Sequence, residues 1–344
     1  MTEKVPTDRI PYAASLDAAR ASVRGCLLDA DAAISDVTRH LASQGGKGLR
    51  SALLLTAASG ADGYVPAQAV PAAAALEVLH LATLVHDDVV DDAATRRGQP
   101  SVQGKFGRKV AVLGGDYLFC RCFSMVSGLT ASYPDRFGDF ARAMTRVCLG
   151  EIEQLRHNLD VDLGIQGYLR IIAGKTAALF ALAAYAGGIQ AGETEQGARA
   201  SGRFGFLFGM LFQIMDDCLD YEDDGGTARK TVQHDLAEGV ITPPLIYSIS
   251  KNPRLKEIVR SAAIHPADLR AILAEVTALD GVSRTWNLAG RYYRKAIRQL
   301  DRIADGGRRE RLRAFLDNAI GDRVSRLQGS YEPLASIRAG VSAG

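Results

Sequence analysis

The sequence predicts an all-α protein, and the spacing of proline and of apolar residues indicates it. The chain has 344 residues, 47% of them hydrophobic, and its eleven prolines leave two long stretches free, 135–242 and 267–332. Proline breaks helices, so stretches without it suit long helices. Apolar residues recur at helical spacing, as at Leu269, Ile272 and Val276, and the alternation typical of strands is nearly absent. We expect about ten or more helices.

Along the chain, helical segments alternate with irregular ones. An alanine-rich stretch that contains Leu76 and Val90 predicts a long helix, because alanine and leucine are strong helix formers. The best candidate for a strand is the short run Lys-Val-Ala-Val-Leu at 109–113. We expect irregular structure near residues 42–50, 95–105 and 222–243.

Composition excludes several classes of protein. The 41 basic and 39 acidic residues give a net charge of +2, which argues against a general nucleic-acid binder. The chain has five cysteines, an odd number and few for its length, so we do not expect a framework of disulfide bonds. We found no run of 18 apolar residues, so the prediction is a cytoplasmic protein with no transmembrane segment. No repeat or linker divides the chain, so we expect one domain over 1–344, with 1–20 a loosely ordered lead-in.

Two segments carry the strongest functional signal, because each contains Asp-Asp-x-x-Asp. The carboxylates are Asp87, Asp88 and Asp91 in the first segment, and Asp216, Asp217 and Asp220 in the second. At helical spacing each set forms one patch about a turn long, and both sets follow apolar runs typical of core helices. Clustered acids in such a setting repel one another unless a cation neutralises them. Oxygen ligands favour Mg²⁺ bridging to phosphate, and we expect the two patches to face each other across one apolar cavity.

Basic residues occur in the order that a phosphorylated substrate would need. Lys47 and Arg50 lie in a glycine-rich segment without the spacing of a P-loop. Arg96 and Arg97 follow the first Asp segment, and Lys175 opens an apolar helix, where anions are favoured. Each of these signals is weak alone, and only the ordered set of basic residues indicates a phosphorylated substrate.

That ordered set resembles the trans-isoprenyl diphosphate synthases, the polyprenyl synthetase family, and above all its medium-chain and long-chain members. The resemblance covers about residues 20 to 325. It comprises Gly-Gly-Lys-x-Leu-Arg at 45–50, His-Asp-Asp-Val-Val-Asp-Asp-x-x-x-Arg-Arg-Gly at 86–98, Gly-Gly-Asp at 114–116, Lys-Thr at 175–176, Phe-Gln-x-x-Asp-Asp-x-x-Asp at 212–220 and Asp-Leu-x-x-Gly-x-x-Thr-x-Pro at 235–244. Arg229 stands where the family usually has glycine, and Val240 where many members have a phosphate-binding lysine, which leaves the second diphosphate subsite open in detail.

The resemblance implies an isoprenoid-synthase-type helical bundle around a central cavity, and an enzyme that condenses isopentenyl diphosphate head-to-tail with an allylic diphosphate. It implies about three Mg²⁺ on the six aspartates, with Lys175 a further catalytic group. The allylic diphosphate would be bound by Arg96, Lys175, Thr176, Gln213 and Lys230. Isopentenyl diphosphate would be bound by Lys47, Arg50, His80 and Arg97. A homodimer, a small accessory subunit and transient membrane contact during product release are also expectations of this kind.

Product length is predicted from the residues that precede the first Asp segment. Thr83 lies one helical turn before Asp87, with Ala82 beside it, so the floor beneath the metal patch is small. The tunnel for the growing chain should continue to Leu79, with Ala75 and Ala72 deeper. We expect products longer than C20, about C30 to C40; a geranylgeranyl or farnesyl diphosphate synthase is the alternative.

Two other kinds of protein fit part of the pattern. A class I terpene cyclase also uses an aspartate-rich helix, but it needs only one diphosphate and would leave Lys47, Arg50 and Arg97 unexplained. A non-catalytic subunit could lose its aspartates, whereas both Asp segments are intact in this chain.

Overall fold

The computed structural model describes residues 8–130, 137–221, 232, 235–236, 238–260 and 266–324. Residue contacts divide these into two compact units. The first unit takes the described residues within Met1–Ala141, Leu182–Gly202 and Ile303–Leu312. The second takes those within Arg142–Ala181, Arg203–Arg302 and Arg313–Gly344. The single-domain organisation therefore stays a prediction.

The first unit is built mainly from helices near the start of the chain. They are α1 (Tyr12–Leu28), α2 (Ser35–Ser43), α3 (Leu49–Ala58), α4 (Ala69–Val90), α5 (Val102–Phe106) and α6 (Arg108–Thr130). Two short antiparallel strand pairs accompany them. Strand β1 (Arg9–Pro11) pairs with β2 (Tyr64–Pro66), and β3 (Thr95–Arg96) pairs with β4 (Gln99–Pro100).

Helix α4 occupies the core of the first unit. It packs along α6 and also contacts α1 and α3. Its residues Ala73, Ala74 and Val78 are completely buried. Alanine lets neighbouring helices approach closely, and tight packing of this kind fixes the position of a helix. The last turn of α4, which carries the first Asp segment, is therefore held in place.

The beginning of the chain is more ordered than we expected. Residues 9–11 form β1, and α1 starts at Tyr12, whose hydroxyl lies 3.0 Å from Thr56 Oγ1. Ser15 and Ala19 on the same helix are buried. The expectation of a loosely ordered lead-in is thus wrong from residue 9 onward, because β pairing and a buried helical face anchor this segment.

The second unit contains most of the remaining helices, some of which extend from one unit into the other. The elements are α7 (Phe137–Arg156), α8 (Ile165–Ile172), a π-helical turn (Ala173–Ala177), α9 (Ala178–Gln190), α10 (Glu195–Leu219), and helices Pro243–Lys251, Arg254–Arg260, Pro266–Ala278, Gly281–Leu300 and Gly306–Val324. Trp286 is fully buried in the second unit, and the rings of Phe180, Phe208 and Phe315 pack edge to face. The all-α class predicted from the sequence is confirmed.

The strand candidate at 109–113 is wrong, because these residues belong to helix α6. β-Branched residues disfavour helix only weakly, and tertiary packing overrides that preference. Leu113 is 65% exposed, so the run is not a buried strand.

By length and composition alone, three helical stretches among the described residues are apolar enough to cross a membrane: Ala69–Val90, Arg108–Leu129 and Ile165–Gln190. Half of the apolar window in Ala69–Val90 is buried inside the protein, where it contributes to the core. The absence of a transmembrane segment and the cytoplasmic location stay predictions.

Candidate active site

The first Asp segment forms the C-terminal turn of α4, in the first unit. Asp87 and Asp91 are half-buried, whereas Asp88 is only 4% exposed. The Nε atom of Arg96 donates a hydrogen bond of 2.7 Å to Asp88 Oδ1. Burial raises the pKa of Asp88, and the Arg96 guanidinium opposes that rise. The three carboxylates are therefore unequal: Asp88 is buried and holds the β3–β4 hairpin through Arg96, whereas Asp87 and Asp91 are only half-buried.

The hairpin that carries Arg96 brings a second guanidinium to the glycine-rich segment at 45–50. Arg97 has a positive φ of 53° and is followed by Gly98 at 78°. A left-handed conformation is costly for a side chain such as arginine and often marks a functional position. From there Arg97 Nη1 donates a hydrogen bond of 2.8 Å to the carbonyl oxygen of Gly45.

Three arginines lie near enough to the half-buried His80 imidazole for their charges to act on it. Arg50 Nη1 lies 2.9 Å from His80 Nε2 and donates to it, since arginine carries no acceptor. Burial lowers the pKa of His80 well below its usual value, and the charges of Arg50, Arg96 and Arg97 lower it further. His80 is therefore neutral at physiological pH. The region carries an excess of positive charge that suits a phosphorylated ligand.

The Gly-Gly-Asp segment at 114–116 makes room for a histidine. A Cβ atom on Gly115 would lie 2.3 Å from His86 Nε2, so only glycine fits there. The same nitrogen lies 3.1 Å from the carbonyl oxygen of Val112. His86 thus ties the last turn of α4 to α6.

The second Asp segment lies at the end of α10, in the second unit, and its middle carboxylate is again the buried one. Asp217 is 7% exposed and accepts hydrogen bonds from the Tyr168 hydroxyl, at 2.6 Å, and from Gln213 Nε2, at 2.8 Å. Burial raises the pKa of Asp217 to about 6, against these two hydrogen bonds. Asp216 and Asp220 are half-buried. The Thr176 hydroxyl donates a bond of 2.9 Å to Gln213 Oε1 and so orients the amide.

Lys175 is presented by the π-helical turn between α8 and α9. Its Nζ donates a hydrogen bond of 2.8 Å to Glu151 Oε2 on α7. The turn touches α7 at backbone distance, since a Cβ on Gly150 would lie 2.3 Å from the Lys175 nitrogen. π-Helical turns inside helices occur frequently at functional sites.

Among the described residues, carboxylates outnumber cations around the second Asp segment. The pKa of Asp235 is raised to about 8, first by burial and then by Asp220, Asp217 and Glu238, with Lys175 opposing. No group of three histidine, cysteine, aspartate or glutamate side chains in the described ranges is arranged to hold a metal ion. Pairs of half-buried carboxylates with surplus negative charge fit Mg²⁺, which binds through one or two carboxylates and takes its other ligands from water and phosphate.

A comparison with known families decides the identity, because the profile of the family described as Polyprenyl synthetase matches residues 31–276. The chain belongs to the polyprenyl synthetase family. It is 32% identical to heptaprenyl diphosphate synthase component 2 of Bacillus subtilis, over 84% of this chain and 82% of that protein. It is 34% identical to octaprenyl diphosphate synthase of Escherichia coli, over 81% of this chain and 87% of that protein.

A solved structure agrees with this assignment. The polyprenyl synthase of Caulobacter crescentus, complexed with calcium and isoprenyl diphosphate, has a TM-score of 0.81 and 32% identity over 90% of this chain and 95% of that chain. The prediction of a prenyl diphosphate synthase, a transferase, is confirmed. The names of the two curated relatives agree with the expectation of products longer than C20.

The basic and polar residues predicted to bind the two diphosphates fall into three groups in the structure of this polyprenyl synthetase. The structure brings Arg50, His80, Arg96 and Arg97 together, and Lys47 is exposed on the nearby loop. Lys175, Thr176 and Gln213 lie close to the second Asp segment. Lys230 and Arg229 lie outside the described residues. The roles of all these residues stay predictions.

The residues predicted to set product length all lie on α4. Ala82 is completely buried, Leu79 is 2% exposed, and Thr83 donates a hydrogen bond of 2.8 Å to the His80 carbonyl oxygen. A cavity opens farther from the Asp segment, where Ala72 and Ala75 line it.

One residue of the site has no counterpart in the sequence motifs. Tyr168 is buried, its hydroxyl binds Asp217, and its own pKa is raised by burial and by that carboxylate. A tyrosine 49 residues away from an Asp segment carries no pattern that would have identified it.

Proposed function

We propose that this enzyme condenses isopentenyl diphosphate head-to-tail with an allylic diphosphate to make a trans-polyprenyl diphosphate longer than C20, about C30 to C40. One observation carries the proposal: the half-buried pair Asp87 and Asp91 lies at the end of α4, in the same unit as three guanidinium groups around His80. A carboxylate pair suited to Mg²⁺ and a cationic region suited to diphosphate are both needed to bring two phosphorylated substrates together.

The first Asp segment supplies the part of the site that binds metal and the allylic diphosphate. Asp87 and Asp91 are the proposed ligands, while Asp88 positions the Arg96 guanidinium. These carboxylates would hold Mg²⁺, about three ions as in the family pattern, and the bound metal would supply electrostatic stabilisation of the charge on the departing diphosphate. Arg96 adds a fixed positive charge that needs no proton transfer, because arginine stays protonated.

In the second Asp segment, too, two carboxylates are proposed to bind metal and the buried one to position a neighbouring side chain. Asp216 and Asp220 are proposed metal ligands, and Asp217 fixes Gln213 through a hydrogen bond of 2.8 Å. Lys175 is proposed to exchange its ion pair with Glu151 for the allylic diphosphate when substrate binds.

Isopentenyl diphosphate is proposed to bind the cationic region formed by Arg50, His80 and Arg97, with Lys47 from the exposed loop. Arg97 is held by Gly45 and Arg50 is held by His80, so both guanidiniums are ordered before substrate arrives. Such preorganisation lowers the entropic cost of binding and orients the double bond for attack. The departing diphosphate takes the final proton, so no protein base is required.

Product length and assembly form the remaining part of the proposal. Small residues at Ala82 and Thr83 support a long product, and the curated relatives include proteins named for heptaprenyl and octaprenyl products. Val110, Leu113 and Phe123 are exposed on α6, which supports a homodimer that buries apolar surface. One relative is named component 2, which supports a small accessory subunit.

A reconstituted assay tests the proposal. Purified protein is incubated with Mg²⁺, labelled isopentenyl diphosphate and allylic primers of C5, C10, C15 and C20, and dephosphorylated products are separated by chromatography. We expect incorporation of label into products longer than C20. A product no longer than C20 would favour a geranylgeranyl or farnesyl diphosphate synthase. Consumption of an allylic diphosphate without incorporation of label would favour a terpene cyclase and refute the proposal.

A further inference from the structure

The first unit contains a cavity of about 100 Å³ away from the charged groups of the site. Its walls are mostly apolar and include Ala72, Ala75 and Leu76 of α4, together with Phe140 and Ile189. We call it the α4 cavity. An apolar cavity of this kind suits a hydrocarbon better than water.

The α4 cavity lies on the same face of its helix as the first Asp segment. Ala72, Leu76, Leu79, Thr83 and Asp87 are separated by four, three, four and four residues. At about 100° per residue these positions form one stripe along α4. Ala75 precedes Asp87 by twelve residues, which is about 18 Å along the helix axis. A hydrocarbon of three to four isoprene units, each about one helical turn long, covers that distance.

Polar groups interrupt the apolar wall of the cavity. The Tyr185 hydroxyl donates a hydrogen bond of 2.8 Å to Asp139 Oδ2, and both residues line the cavity. Gln190 also lines it and is only 8% exposed, and its Oε1 atom has no hydrogen-bond partner among the residues that the structure describes. A buried amide oxygen that accepts no hydrogen bond costs free energy. Hydrocarbon packed against it adds to that cost, because the oxygen then also loses access to water.

The α4 cavity is the deep end of the tunnel that the proposed function requires for the growing prenyl chain, and we propose that Gln190 limits the final length of that chain. This inference rests on the proposed function, since it names a specificity-determining residue for that reaction. The apolar wall accepts the units that are added after about C20. Further growth brings hydrocarbon against the Gln190 amide and the Asp139–Tyr185 pair, which it cannot hydrogen-bond.

Two variants act on the cavity in opposite directions. Gln190→Met keeps an unbranched side chain of similar length and removes the amide, so its main product should be longer by at least one C5 unit. Ala72→Phe fills the cavity, so its main product should shorten to about C20. Gln196→Met, the same exchange at an exposed position of α10 outside the cavity lining, is the matched control and should leave the distribution unchanged.

The assay uses the full chain, Mg²⁺, a C15 primer and labelled isopentenyl diphosphate, with circular dichroism to check that each variant folds. If the unmodified protein incorporates no label, the proposed function fails. If it is active but Ala72→Phe makes the same products, the chain end does not enter the α4 cavity and the inference is overturned. If Ala72→Phe shortens the product but folded Gln190→Met leaves it unchanged, the assignment of Gln190 is overturned. A Gln190→Met protein that does not fold is replaced by Gln190→Leu, to which the same expectation applies.

Discussion

Gly150 lies where α7 touches the π-helical turn that carries Lys175. Adding a single methyl group there, as in Gly150→Ala, should change both the stability of the protein and its binding of substrate. In Gly150→Ala the new Cβ would lie 2.3 Å from the Lys175 nitrogen and 2.7 Å from the Gly174 carbonyl carbon. Ordinary contacts begin near 3.4 Å, so α7 and the turn must separate by about 1 Å. Both neighbours are backbone atoms, and no side-chain rotation relieves the clash.

Two opposing effects set the size of the change in stability. Replacing glycine by alanine inside a helix stabilises it by about 1 kcal/mol. Overpacking costs about 1–3 kcal/mol. Gly128 on α6 separates the two effects, because a Cβ there meets no heavy atom within 4 Å. The free energy of unfolding of Gly128→Ala should therefore exceed that of Gly150→Ala by about 1–3 kcal/mol.

Urea unfolding of the two variants measures this difference, and steady-state kinetics measures its effect on function. A displacement of the order of 1 Å at Lys175 should raise the KM for the allylic diphosphate by about tenfold in Gly150→Ala, because binding geometry is sensitive on this scale. Gly128→Ala should leave KM unchanged. Equal stabilities and equal KM values in the two variants would refute the role of Gly150 in positioning Lys175.

Three other substitutions test separate parts of the site. Asp87→Ala should lower kcat by at least about 100-fold, because charge stabilisation at the leaving group is lost. The control Asp92→Ala, at an exposed position, should have little effect on kcat. Similar kcat values in the two variants would contradict the assignment of Asp87 as a metal ligand. Tyr168→Phe should lower the free energy of unfolding by about 1–3 kcal/mol, since a buried carboxylate loses a hydrogen bond; a change below about 0.5 kcal/mol in urea would argue against that bond. Ala82→Phe combined with Thr83→Phe should shorten the product towards C15–C20 by chromatography, and an unchanged product would exclude these positions from the tunnel.

The Asp segments illustrate what spacing can and cannot predict. Periodicity predicts a shared face for Asp87 and Asp91, because side-chain direction in a helix follows from residue number, and the structure has Asp87 in the last turn of α4 and Asp91 at its C-cap. It does not predict that Asp88 is buried against Arg96, since that contact depends on how the hairpin at 95–100 folds back. Asp217 repeats the same pattern with Tyr168, a partner that is remote in sequence.

The spacing of proline and of apolar residues predicted the fold class, but local strand preference misassigned residues 109–113. Valines at 110 and 112 favour strand, yet they lie in α6, where the surrounding helix and its packing against α4 decide. Only part of the cavity beside Ala72 could be predicted from the sequence. Its α4 wall follows from the helical stripe, whereas Gln190 and Tyr185 come from α9, and only tertiary packing brings them there.

The neutral state of His80 has a consequence for how the enzyme responds to acidity. Because its pKa is held well below the usual value, mild acidification does not protonate it. Arginine keeps its charge at every pH at which proteins stay folded. Protonation of His80 should therefore contribute little to any pH dependence of the KM for isopentenyl diphosphate near neutral pH, and the dependence that remains should follow the ionisation of the substrate itself.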